Sequence, residues 1–176
     1  GYPPLEVGGR PNIGKAAIWD PAAGTGPGSI REVPPPEVDV DGDGDTEPAP
    51  IYCSGQSFLP NGSLLVAGGN LVWASIPDDE YEGYSGDFRT FTFDPWTETW
   101  RQQPRMRQGR WYPSQVLMAN GRTALLGGYG DAAPGDVDNL DLELFDAPPA
   151  PSGLGSITRY PAADRWTTLY PSLFSM

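Results

Sequence analysis

The only cysteine of this 176-residue chain, Cys53, stands 59 residues before Tyr112, and the chain contains no histidine. That spacing is the period of a repeat. Leu59-Pro60-Asn61-Gly62-Ser63-Leu64-Leu65-Val66-Ala67-Gly68-Gly69 returns as Met118-Ala119-Asn120-Gly121-Arg122-Thr123-Ala124-Leu125-Leu126-Gly127-Gly128. Cys53 and Tyr112 therefore hold one place in two copies of a unit. Equivalent points of stacked repeats are neighbours in space, so the thiol and the phenol are expected to meet. Such a pair is the best lead to function in the chain. Without imidazole the chain has no means of building a Ser-His-Asp triad, most zinc hydrolase sites or most copper sites on its own. The competing account of the same two residues is packing, with Cys53 a small buried hydrophobe and Tyr112 an aromatic filler.

The elements that hold this pair follow from composition. Gly and Pro make up one quarter of the chain, at the edge of disorder, yet there are 6 Trp, 8 Tyr and 6 Phe, which disordered chains lack. Turn-rich all-β structure reconciles the two, since short strands need many turns and aromatics fill the layers between sheets. A net charge of -12 argues against nucleic acid as a partner, because phosphate binding needs a basic surface. One cysteine makes no internal disulfide. No apolar run reaches membrane-spanning length and no signal peptide opens the chain.

Each copy begins with a strand, Gln56-Ser57-Phe58 or Ser114-Gln115-Val116-Leu117. An Asn-Gly turn follows, read as a two-residue hairpin, then a second apolar strand ending in a Gly pair. A third strand is expected to end at Phe93-Asp94-Pro95 and at Thr158-Arg159-Tyr160-Pro161, each followed by a Trp, Trp100 or Trp166. A hairpin, a Gly pair, then an aromatic and a Trp is the pattern of kelch-type β-propeller blades; the alternative is an ordinary β-sandwich. On that pattern the whole chain, 1–176, is a partial kelch propeller. Residues 13–34 are the late part of one blade, 34–50 an acidic Pro-rich insertion, 52–102 and 112–167 two blades, and 170–176 the start of the next. Residues 131–151 read as a second insertion with a strand-like core. A propeller closes with about four to eight blades. About two to three are present, so the propeller is incomplete and the remaining blades are expected in the same or another chain.

With the repeat in hand a resemblance emerges. Tyr52-Cys53-Ser54-Gly55 followed by Phe58-Leu59-Pro60-Asn61-Gly62 resembles the cysteine-bearing blade of copper radical oxidases. Arg107-Gln108-Gly109-Arg110-Trp111-Tyr112-Pro113 followed by Asn120-Gly121-Arg122 resembles the next blade of that family, in a form closer to glyoxal oxidases than to galactose oxidase. The resemblance covers most of residues 52–172. It implies one copper ion held by two tyrosines and two histidines, with one tyrosine joined to a cysteine by a thioether and carrying a radical. It implies oxidation of a small primary alcohol or aldehyde by O₂, giving H₂O₂, and a secreted or extracellular protein. Carried over by position, Cys53 matches the thioether cysteine. Tyr112 matches the radical tyrosine and copper ligand. The second tyrosine and both histidines have no counterpart here, so this segment alone is expected to be inactive. The family shields its radical with a tryptophan. Trp111 is a candidate for that place, Tyr129 stands after the Gly pair where no Trp occurs, and Tyr52 is a candidate for the substrate mouth; packing is the competing role for each.

The run Asp39-Val40-Asp41-Gly42-Asp43-Gly44-Asp45 resembles a calcium loop, but Pro50 stands where the bidentate Glu belongs. A solvated acidic loop is the favoured reading, as it is for Asp78-Asp79-Glu80. The rival for the whole chain is a non-catalytic kelch propeller that binds a protein or glycan, and behind it a structural surface protein.

Overall fold

The computed structural model describes residues 6–7, 10–11, 15–39, 44–72, 85–131 and 137–176. The protein is all-β. Among the described residues, helical structure is confined to three 3-10 turns, Pro21–Ala23, Pro27–Ser29 and Pro161–Ala163. Each opens on proline, whose fixed φ and missing N–H suit a first helical position. No helix among the described residues is long and apolar enough to cross a membrane. The chain divides into two units, 1–50 and 51–176.

The first unit is built of antiparallel strand pairs: β1 (Glu6–Val7) with β2 (Arg10–Pro11), β3 (Ala16–Trp19) with β4 (Ile30–Val33), and β5 (Glu37–Val38) with β6 (Glu47–Pro48). The β3 strand ends in an Asx turn, in which the Asp20 carboxylate accepts the Ala22 N–H at 2.9 Å. The exposed Lys15–Glu32 pair joins β3 to β4 and is worth about 0–1 kcal/mol.

The second unit holds two four-stranded antiparallel sheets. One runs β12 (Thr99–Gln103), β11 (Thr90–Asp94), β8 (Leu64–Ala67), β7 (Gly55–Phe58); between β8 and β11 in the chain lie the paired β9 (Asn70–Val72) and β10 (Ser85–Gly86). The other runs β13 (Ser114–Leu117), β14 (Arg122–Leu126), β15 (Glu143–Asp146), β16 (Ser156–Arg159). In both, the first strand in the chain lies at one edge, and these two edge strands, β7 and β13, meet. The Ser57 hydroxyl donates across them to Gln115 Oε1 at 3.1 Å. Between the sheets lie Leu59, Leu65, Ala67 and Met106 from one side and Leu125 and Phe145 from the other, all buried. Truncating any of the larger ones to alanine removes packing worth about 2–5 kcal/mol.

Two expectations change. The Asn-Gly turns are three-residue loops. Gly62 N donates to Leu59 O and Leu59 N to Ser63 O, with φ of 86° at Gly62; Met118, Gly121 and Arg122 repeat this with 82° at Gly121. A type I turn closed by a left-handed Gly bulge satisfies the same dipeptide, with the Asn side chain capping the turn from Ser63 N at 3.0 Å. The second change concerns 131–151, read as an insertion: it supplies the third strand of the second sheet, β15, and Thr158-Arg159 belong to the fourth. Phe93-Asp94-Pro95 and Tyr160-Pro161 are alike in sequence but follow different strands of their sheets. Trp100 accordingly lies in a strand and Trp166 outside one.

Candidate functional site

The residue two places before each edge strand is bent. Cys53 has φ of 60° and Tyr112 of 63°, and Tyr170, one repeat further on, has 47°. Left-handed backbone costs a non-glycine residue about 1–3 kcal/mol and persists only where surroundings enforce it. Here the enforcement is a backbone relay: Tyr112 N donates to Cys53 O at 2.9 Å, and Tyr170 N to Tyr112 O at 2.8 Å. The Gly pairs make room for the incoming chain. Gly69 N donates to Arg110 O at 2.9 Å, and a Cβ on Gly68 would run into that same carbonyl oxygen. On the other side, Trp111 and Tyr129 exchange backbone hydrogen bonds at 2.8 and 2.9 Å.

The repeat thus aims three side chains at one spot. The Cys53 thiol is half-buried, hydrogen-bonded with the Tyr112 side chain and beside Trp111. Burial raises its pKa, and these two neighbours oppose the rise. Four rings form a column beside it. Trp111 stacks on Tyr112 at 3.8 Å between centroids and 10° between planes; Tyr112 stacks on Tyr170 at 4.4 Å and 21°; Tyr129 continues the column beyond Trp111 at 5.6 Å and 12°. Tyr112 is therefore covered on both faces. Burial also raises the Tyr170 phenol, helped by the neighbouring charge of Cys53 when ionised.

An ion-pair network fixes the segment that delivers these rings. Arg110, next to Trp111, is fully buried; its guanidinium donates to Gly127 O at 2.9 Å, Asp141 O at 2.7 Å and Glu143 Oε2 at 2.9 Å. Burial lowers its pKa, and the Glu143 carboxylate opposes this. Glu143 also accepts the Arg107 N–H at 2.8 Å. Asp141 pairs with Arg107 at 2.7 Å and Arg159 at 2.8 Å. Burial works to raise the Asp141 carboxyl, but hydrogen bonds from and charges on the two arginines together outweigh it and hold it below its ordinary value.

The structure brings Cys53 and Tyr112 together and lays Trp111 on the tyrosine. Tyr52 is half-buried in the turn leading to β7. Residues 40–43 of the acidic run and the carboxylates 78–80 lie outside the described residues; at the edge of the run, Gly44 N donates to Asp39 Oδ2 at 3.1 Å. Among the described residues no group of three or more His, Cys, Asp and Glu side chains is placed to hold a metal ion. Sequence reasoning missed Tyr170, Arg110 and Glu143. The signal for Tyr170 was present, because Tyr170-Pro171-Ser172 repeats Tyr112-Pro113-Ser114 at a spacing of 58.

No protein-family model matches the chain. It is 30% identical over 97 residues to a WSC domain-containing protein of Arthroderma benhamiae, a match covering 52% of this chain and 10% of that protein. A solved structure described as a novel fungal alcohol oxidase with catalytic diversity among the AA5 family, in complex with copper, matches at 19% identity and a TM-score of 0.38, over 70% of this chain and 21% of that one. The chain spans about a tenth of the curated relative and about a fifth of the solved structure.

Proposed function

We propose that this chain is part of a copper radical oxidase, with Cys53 and Tyr112 as its redox-active pair. In this reading the two four-stranded sheets are kelch-type blades of an incomplete propeller and the β3–β4 hairpin is the late part of an earlier one. The enzyme acts outside the cell on a small primary alcohol or aldehyde, with O₂ as oxidant and H₂O₂ as product. One observation carries the proposal: a cysteine and a tyrosine one repeat apart, both in left-handed backbone, linked by Tyr112 N to Cys53 O at 2.9 Å, with thiol and phenol in contact. A packing role alone does not need the contact between the polar ends.

The residues of this chain do not by themselves fit a copper ion. They offer one phenol with a thiol beside it and no imidazole, and the resemblance assigns the other ligands to residues outside this chain. What this chain contributes is the tuned side chain. Replacing the Cys53 S–H and one ring C–H of Tyr112 with an S–C bond releases two electrons and two protons, which O₂ takes up as H₂O₂. Sulfur on the ring spreads an unpaired electron and eases its removal. Trp111 and Tyr170 keep water from the two faces of that ring.

The test is the intact mass of the polypeptide carrying this chain and the remaining ligands, after exposure to copper(II) and air. Loss of two hydrogens, mapped to the peptides of Cys53 and Tyr112, is expected. An unchanged mass with Cys53 fully open to alkylation overturns the proposal.

A further inference from the structure

Only one of the chain's five asparagines begins an Asn-X-Ser/Thr motif with X other than proline: Asn61-Gly62-Ser63. This is the acceptor pattern for N-linked sugar. It falls in the loop that joins β7 to β8. The second copy of the repeat shows what that turn itself needs. Asn120 Oδ1 accepts the Arg122 N–H at 3.1 Å, as Asn61 Oδ1 accepts the Ser63 N–H at 3.0 Å, and Gly121 takes the place of Gly62. The fold therefore uses the Asn and the Gly but no hydroxyl at the next position. Ser63 supplies one nevertheless, and its Oγ is buried without a hydrogen-bond partner, which costs stability. An unpaired hydroxyl that the folded turn does not need is accounted for by a step that reads it before folding.

Two features of the folded turn suit an attached sugar. Asn61 Nδ2 has two N–H bonds and one acceptor, Pro148 O at 2.9 Å, so replacing the other hydrogen breaks no hydrogen bond. The Trp96 ring lies on Gly62, where a Cβ would run into it, and Trp96 is 74% exposed. A pyranose presents a face of C–H bonds that packs on such a ring. We propose that Asn61 carries an N-linked oligosaccharide whose first sugar packs against Trp96. In the transfer, Asn61 Nδ2 bonds to the anomeric carbon of a lipid-linked oligosaccharide diphosphate. The sugar–phosphate C–O bond breaks, the lipid diphosphate leaves, and one amide proton passes to water. No group is oxidised or reduced. In the fold Ser63 is buried and Asn61 is tied to a carbonyl 87 residues downstream, so the motif is read on the unfolded chain and the fold then closes over Ser63. Cys53 precedes β7 and Asn61 follows it, so the length of that strand, about 13 Å, separates the sugar from the redox pair.

This proposal rests on the extracellular part of the reading above, because such transfer acts on exported chains. The complete polypeptide carrying this chain is recovered from its source and digested. The Asn61 peptide is read with any sugar still attached, since Asn-Gly also deamidates to the Asp that enzymatic sugar removal leaves. A sugar-bearing Asn61 and a bare Asn120 are expected. A bare Asn61 in secreted protein overturns the proposal, and protein confined to the cytosol overturns the export reading and the sugar with it. Made in a secreting eukaryotic host, Ser63→Ala is expected to fold and to lose the sugar; a sugar that persists overturns the assignment. The sugar's effect on Tm, wild type against Ser63→Ala, is expected to shrink in a Trp96→Ala background. An equal effect in both backgrounds overturns the packing on Trp96. Copper and air should remove two hydrogens from wild type and Ser63→Ala alike, so failure of the redox reading is seen separately.

Discussion

Replacing Glu143 with leucine strands a charge in the interior. Arg110 and Glu143 are 0% and 1% exposed at their side chains and 2.9 Å apart. Removing one partner of a buried pair typically costs about 3–5 kcal/mol, because the other charge is left without compensation. Arg110 keeps its bonds to the carbonyls of Gly127 and Asp141, which favours the lower half of that range. The Arg107 N–H loses its acceptor as well, adding about 1 kcal/mol. Against a total stability of about 5–15 kcal/mol, Glu143→Leu alone is expected to remove about a quarter or more. Arg110→Met has a different balance: the Glu143 carboxylate keeps the Arg107 N–H, but two carbonyls lose their donor, at about 1–3 kcal/mol for each one left unsatisfied.

The double variant separates the causes. With Arg110→Met and Glu143→Leu together no charge remains stranded, and apolar replacement of a buried pair is often neutral or stabilising. The unsatisfied carbonyls remain, so full recovery is not expected. Relative to additivity the double variant should be more stable by about 2 kcal/mol. Urea unfolding of the wild type, both single variants and the double variant, followed by tryptophan fluorescence, measures this if the m-values stay constant. A cost below about 1 kcal/mol for Glu143→Leu would mean that water reaches Arg110. Strict additivity would show that the two groups do not act as a pair. Either result refutes the reasoning. Alkylation of Cys53 in the same variants reports the link to the site, since slack in the Arg110 segment frees Trp111 and Tyr112 and exposes the thiol.

Gly68→Ala combines a φ of 75° with a clash against Arg110 O, and should cost about 2 kcal/mol or more in the same unfolding assay; a neutral substitution would show that the two sheets can slide apart. For Cys53 the thiolate is the reactive form, so burial moves the midpoint of its alkylation rate above that of an ordinary thiol. Tyr112→Phe removes a hydrogen bond that opposes this rise and should move the midpoint higher still; a downward shift in rate-versus-pH measurements contradicts the contact. Asp141 is held below its ordinary pKa, so its contribution to stability is complete above the unfolded carboxyl range and is lost as pH falls through the lower folded value, below about pH 4. Asp141→Asn should therefore lower stability at neutral pH and flatten the acid limb of the stability curve, read by unfolding at a series of pH values.

The parts legible in the sequence were those whose cause is local. Asn61-Gly62 and Asn120-Gly121 encode turns within a few residues, and the Gly pairs encode sharp backbone bends, so the first two strands of each sheet can be placed from the repeat. The later strands cannot. The first sheet resumes at Thr90, 22 residues after Gly68, and the second at Glu143, 16 after Gly127, so aligning Phe93-Asp94-Pro95 with Tyr160-Pro161 pairs a third strand with a fourth. Leu140-Asp141-Leu142-Glu143-Leu144-Phe145 also alternates in the way that sends acids to solvent. Instead Asp141, Glu143 and Phe145 are all buried, because Arg110 and Arg107 reach them from a segment over 30 residues away. A charge compensated at long range leaves no mark in its own neighbourhood of the sequence.

The candidate site shows the same division between local and distant causes. Repetition predicts that positions 53, 112 and 170 share a backbone conformation, and all three have positive φ. It does not predict what their side chains do once aimed at one place, because that depends on which residue occupies each copy. A repeat with the same residue in all three copies would stack three like groups. This one places a thiol, a phenol and a second phenol in sequence, and the two phenol rings stack. The shared backbone fixes where the three side chains meet, and the difference between the copies decides which groups meet there.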